Sequence, residues 1–255
     1  MSGFAVLVRK ELVESWRTRR LPVVVILFAA IGILSPLTAR YLPEILKAAL
    51  GDQLTIPVPT PTPADAVLQL QKNLGQLGAF AAIVLAMGSV ASEKERGTAS
   101  FLLTKPVGRG AFIAAKLVGL GAVIGLAVVG AVAIGWVYTA ILFEPGPVGG
   151  WIVLAVATWF ALATWAAITF VASTVLGSAA AAAGIGVVAL IVLSIVSAIP
   201  TVGRWLPPGL DGPTLAMATG RAAVVTDLVS AIIGSAIVIV VCSGAAWLSF
   251  RRQEL

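Results

Sequence analysis

Between two long uncharged runs the chain carries Glu93-Lys94-Glu95-Arg96-Gly97-Thr98, followed by Leu102-Leu103, Pro106 and Arg109. Two carboxylates and two cations in four residues suit acid–base chemistry, metal binding or a contact surface. The first two need helpers that the sequence lacks. There is no histidine, which removes the commonest general base and metal ligand. A nucleophilic serine would have no histidine to activate it. None of the long apolar runs offers paired carboxylates for a metal, and no glycine-rich loop with lysine appears to cradle nucleotide phosphates. A catalytic centre, a resident cofactor and a metal site are therefore not expected. The contact reading remains: a polar head at 93–96, a turn at Gly97-Thr98, and one or two helical turns over 99–104 with Leu102-Leu103 as the apolar side. Pro106 and Gly108 end it. A short amphipathic helix of this kind fits a groove on a protein partner, and the plain alternative is an ordinary charged loop beside a membrane.

The elements that must position this segment are membrane spans. Of 255 residues, 59% are hydrophobic and 11% charged, far below the roughly 25% charge of soluble domains. About 20 apolar residues cross a 30 Å hydrocarbon core. The uncharged runs predict six spans near 21–39, 73–91, 112–142, 151–172, 179–199 and 228–250. The fourth and fifth share a stretch of 59 residues, Pro145 to Gly203, without a charge, so a hairpin break is placed at 173–178. Pro63-Ala64-Asp65 opens the helix leading into the second span, because proline fits the first turn and aspartate the N-terminal dipole. Two segments, 40–72 and 200–226, are expected outside. The first holds the Ile56–Pro61 alternation that favours extended backbone, and the second a short helix between Thr214 and Val225. Gly121 and Gly125 allow close helix packing, within the chain or with a second copy.

The charges orient this layout. Segments assigned inside, including loop 92–111, hold 12 of the lysines and arginines, and those assigned outside hold 5. Lysine and arginine are retained on the cytoplasmic side, so both termini are expected there. Residues 1–20 carry Arg9, Lys10, Glu11, Arg17, Arg19 and Arg20 among recurring apolar positions, the pattern of a helix lying on the membrane surface. Lys116 and Asp227 sit near span ends, where snorkelling or capping accounts for them. The fold class is an all-α integral membrane protein with six transmembrane helices and an N-terminal amphipathic interfacial helix. Its lone Cys242 reads as packing.

The run Glu93–Thr98 with Leu102-Leu103, Pro106, Arg109 and Lys116 resembles the cytoplasmic loop after the second span of ABC-2-type transporter permeases. The opening Arg9-Lys10-Glu11-Leu12, with Arg17, Arg19 and Arg20 before the first span, is similar to that family's start. The resemblance implies a permease subunit of an ATP-binding-cassette transporter in the cell membrane, with a lean to export. It would pair with a second copy or a related chain, and two separate ATPase subunits would bind ATP and magnesium; the permease is not an enzyme. Residues 92–109 would hold the coupling helix, with Glu93, Glu95, Arg96, Gly97, Thr98, Leu102, Leu103, Pro106 and Arg109 facing the ATPase. Residues 3–19 would form the elbow helix, and 200–226 the short external helices before the last span. The 40–72 segment is longer and richer in proline than the minimal family pattern and could meet an external partner protein. Alternatives are a membrane anchor or assembly subunit for an external maturation factor, and a stand-alone carrier. Spans without central charges argue against ion-coupled transport.

Overall fold

A computed structural model describes residues 3–50, 60–95, 97, 108–144 and 146–252. Helices dominate and no strand occurs among these residues. Helix α1 (Gly3–Arg17) precedes α2 (Arg20–Leu50). The second span is built from α3 (Pro63–Asn73), a π-helical turn (Leu74–Gly78), α4 (Ala79–Met87) and α5 (Ala91–Glu95). Then follow α6 (Arg109–Leu142), α7 (Val148–Val175) and α8 (Ala179–Val196). After α9 (Pro200–Gly203) come a 3-10 turn (Pro207–Leu210), α10 (Asp211–Ala218) and α11 (Val225–Arg251). Six helical stretches among the described residues are long and apolar enough to cross a membrane.

The bundle is organised around α7, which packs against α4, α6, α8, α10 and α11, while α2 lies along α6. Phe28, Leu70, Leu74, Ile83, Ile124, Leu154, Leu162 and Phe170 are fully buried. Lipid removes the usual hydrophobic drive between helices, so shape and small residues decide the packing. Trp159 illustrates this: its ring covers Gly121 and Gly125, and its indole N–H donates to the Gly121 carbonyl at 2.9 Å. That glycine pair is thus filled from within the chain.

Several boundaries depart from the sequence expectation. The first span, α2, does not stop at residue 39 but continues to Leu50, so the segment assigned outside from residue 40 begins as helix. Pro36 and Pro43 lie inside it, each removing one backbone donor. The carbonyls so freed are those of Gly32 and Ala39, while the Ser35 and Thr38 hydroxyls fold back within the helix onto the Ile31 and Leu34 carbonyls at 2.6 and 2.7 Å. Pro63 and Asp65 start α3 as expected, and Thr62 adds a cap that the sequence reading did not include: the Asp65 carboxylate accepts from the Thr62 backbone N–H at 2.8 Å and its hydroxyl at 2.6 Å. The proline-rich stretch 51–59 lies outside the described residues.

The short helix expected over 214–225 is Asp211–Ala218 instead. Pro213 fits its first turn, and Gly220 at φ 72° ends it. The Arg221 N–H then donates back to the Ala216 carbonyl at 2.8 Å, the wrapped-back end that a glycine in left-handed conformation permits. A Cβ on Gly234 of α11 would lie 1.9 Å from the Trp205 carbonyl oxygen. The 200–218 segment is therefore seated directly on the α11 backbone.

Candidate functional site

Helix α1 is amphipathic in two directions. Leu12 packs towards the core, whereas Phe4, Val6, Val13 and Trp16 are exposed, Trp16 by 64%. Arg9, Arg17, Arg19 and Arg20 are exposed as well, giving a surface with apolar contacts and cations that suits a bilayer interface. Arg19, at φ 60°, makes the turn from α1 into α2, and Arg20 is the first residue of α2 rather than part of the interfacial helix.

Lys10 and Glu11, which the sequence places with that surface group, take part in an internal charge cluster. Lys116 is its hub. The Lys116 ammonium donates to Glu93 Oε1 at 2.8 Å and lies 3.3 Å from both Glu11 carboxylate oxygens. Its side chain is 4% exposed, against 14% for Glu93 and 17% for Glu11. Snorkelling therefore does not describe Lys116; it is buried and paired. It also stands 5.0 Å from the centre of the Phe112 ring, which stacks on Phe250 of α11. A charge in this position needs several such partners, since desolvating an isolated ammonium is costly.

Lys10 completes the cluster from α1, at 3.3 Å from Glu11 and Glu14 and 3.7 Å from Glu93. Burial alone would depress the Lys10 ammonium, but Glu11, Glu93 and Glu14 more than offset it, and its pKa is raised. Oxygens of Glu11, Glu14 and Glu93 lie within 4.8 Å of one another. Two ammonium groups, those of Lys10 and Lys116, already pair with these three carboxylates. The close approach of α1 to α6 depends on Gly119, where a Cβ would sit 2.9 Å from Glu11 Cβ.

The end of the second span is fastened on its other side too. Ser173 Oγ, buried in α7, accepts from the Val90 and Ala91 backbone at 3.2 and 3.0 Å. The Lys94 ammonium donates to the Thr174 carbonyl, and Glu95 accepts from Ala179 N–H at 3.2 Å at the start of α8. Gly97, at φ 67°, turns the chain away, its N–H donating to the Lys94 carbonyl at 3.0 Å. Across the loop, Arg109 donates to the Arg251 carbonyl at 2.8 Å. Helix α1, α5 and the ends of α6, α7 and α11 thus share one end of the bundle. Arg96, Thr98, Leu102, Leu103 and Pro106, and the helix expected over 99–104, lie outside the described residues.

Sequence reasoning named Lys116 beside Glu93, Glu95 and Arg109 but read it as a snorkelling residue near a span end, not as the hub of a buried cluster. The available signal was charge balance: Glu11, Glu14 and Glu93 in otherwise basic segments, and a single lysine a turn and a half inside an apolar run. Nothing in the spacing says that residues 11, 93 and 116 converge.

Six spans, a surface helix at one end and a loop-bearing helix tied to it by buried ion pairs define a multi-pass membrane protein whose polar organisation is concentrated on one face. Residues 5–215 match the family described as ABC-2 family transporter protein, and the chain belongs to that family. It is also 29% identical over 215 residues to "Uncharacterized transmembrane protein YxlG" of Bacillus subtilis (strain 168), a match covering 81% of each chain.

Proposed function

We propose that this chain is the permease subunit of an ATP-binding-cassette exporter, driven by two separate ATPase subunits that hold ATP and magnesium. The end bearing α1, α5 and loop 92–111 would face the cytoplasm and receive them. One observation carries this reading: Lys116 joins the loop-bearing end of the second span to both α1 and α6. A push on the loop would act on Glu93 and Lys116, and through Ser173, Thr174 and Ala179 on the α7–α8 hairpin. In this scheme Glu93 transmits force inside the permease, and the residues following Glu95 meet the ATPase.

A second permease copy is part of the proposal. Along α8 the buried residues are Ala182 and Gly186. Ala180, Ala181 and Gly184 are exposed there, and a Cβ on Gly184 would meet nothing within 4 Å. Small residues on an uncovered helix face support close approach of a partner helix.

The test is co-purification with the candidate ATPase, followed by ATP turnover with and without the permease. A stable complex whose turnover responds to the permease is expected. Charge reversal by Glu95→Lys should weaken the coupling while α1 and α6 stay paired. Absence of a complex with any ATPase, or turnover indifferent to the permease and to the reversal, refutes the reading. Cysteine labelling from either side of sealed vesicles, in a Cys242→Ala background, tests the orientation independently.

A further inference from the structure

At the end of the bundle opposite α1, a cavity of about 240 Å³ opens between α3, the π-helical turn, α7, α8 and the segment from Pro207 to Thr214. Its apolar wall includes Leu162 and Trp165, and its polar groups include Gln71, Lys72, Gln76 and Asp211. Gln71 is 6% exposed. Its Nε2 donates to the Asp211 backbone carbonyl at 3.0 Å and to Thr214 Oγ1 at 2.6 Å. The Thr214 hydroxyl is itself committed to the Leu210 carbonyl at 2.6 Å. Exchanging the amide oxygen and nitrogen would set two acceptors against each other at Asp211, so the orientation is determined by its partners. Gln71 Oε1 is then left without a donor among the described residues. Buried acceptors in folded proteins are almost always satisfied, so this oxygen calls for a donor beyond the described residues.

Charge narrows what that donor is. Asp211 and Lys72 line the same cavity. Neither forms an ion pair within 4.0 Å among the described residues, where the ion pairs all lie at the other end. Helices α7 and α8 carry no ionisable residue to answer them. Packing around the carboxyl pushes Asp211 up to about 6, although the residue as a whole is exposed. A carboxylate and an ammonium in one cavity, unpaired with each other, complement a ligand of opposite polarity at each end. One wall is the π-helical turn, through Gly75 and Gln76, and such turns are rare and concentrated at functional sites. The volume is below that of drug-sized pockets and suits a headgroup or small solute.

We propose that this cavity binds a zwitterion: a primary ammonium that donates to Gln71 Oε1 and the Asp211 carboxylate, with an anionic group turned to Lys72. A phosphatidylethanolamine headgroup and a soluble amino-acid-like solute share this chemistry. The site needs no ATPase, so it stands or falls separately from the transport reading.

The experiment uses the full chain in phosphatidylcholine nanodiscs, whose quaternary ammonium has no N–H, titrated calorimetrically with phosphoethanolamine, β-alanine and phosphocholine. Saturable binding of phosphoethanolamine or β-alanine, and none of phosphocholine, is expected. Asp211→Asn should weaken binding about tenfold or more, since it removes a charge-assisted hydrogen bond. Lys72→Met, at the exposed rim where folding is not at stake, should weaken it by less. Affinity should rise as pH increases through about 6, where the Asp211 carboxylate forms. If phosphatidylethanolamine added to the nanodiscs suppresses the titration, the source is lipid; if β-alanine binds and the lipid does not compete, it is a soluble solute. No saturation by either probe, equal binding of phosphocholine, or an unchanged affinity in both variants overturns the proposal and leaves a bound water as the partner of Gln71.

Discussion

Replacing Lys116 by methionine tests the central physical claim, because it keeps the length of the side chain and removes only the charge. In the native protein the ammonium is 4% exposed and touches two carboxylates that are themselves 14% and 17% exposed. Without it, Glu11 and Glu93 face each other across a largely dry space with only the half-exposed Lys10 to answer them. Removing one partner of a buried pair costs about 3–5 kcal/mol, much of it the uncompensated charge left behind. Lys10 partly compensates, so the lower end is expected, about 3 kcal/mol. The assay is denaturation of the purified protein in detergent for Lys116→Met, Glu93→Gln and the double variant. Because the penalty lies in the stranded carboxylate, adding Glu93→Gln to Lys116→Met should recover part of the loss. Effects of the two changes that add to within about 0.5 kcal/mol mean no coupling. That result, or a Lys116→Met protein as stable as the native one, refutes the hub.

Four further outcomes follow from particular residues. Gly234→Ala places a methyl 1.9 Å from the Trp205 carbonyl oxygen and should cost about 1–3 kcal/mol by overpacking. Gly130→Ala, with nothing within 4 Å, should be neutral or stabilising by up to about 1 kcal/mol through helix propensity; thermal melts of the two variants check the contrast. Gly119→Leu should drive α1 away from α6, since even a Cβ there lies 2.9 Å from Glu11 Cβ, and raise labelling of a cysteine placed at position 11. The Asp211 carboxyl, ordinarily at 3.8, is raised to about 6 in the folded protein. Between those values the folded chain holds a proton that the unfolded chain has released. Its contribution to stability is complete below about 4 and declines as pH rises through 6, and Asp211→Asn should remove that slope from a melting-temperature profile.

How much was legible beforehand differs between the scaffold and the site. The spans were readable because lipid imposes a single demand on long stretches: no charge across the core and every backbone group satisfied by a helix. The turn at 176–178 between α7 and α8 fell within the expected break, since 59 uncharged residues cannot be one span. The continuation of α2 from residue 40 through Pro43 to Leu50 was missed because the span was ended where the uncharged run meets Arg40, whereas the helix itself runs on past that charge. The end of α10 was missed because Gly220, the stop signal, was passed over in favour of the longer run to Val225.

By itself, then, the sequence determined the six spans, the surface helix and the charged loop, each a property of local hydrophobicity and charge along the chain. Only the tertiary structure decided that Glu11, Glu93 and Lys116 form one buried cluster, and that Gln71 and Asp211 share one cavity. These pairings span 105, 23 and 140 positions. Their partners are chosen by which helix faces meet, and that choice rests on glycines such as Gly119 and Gly234 that let two backbones come close enough for short polar contacts.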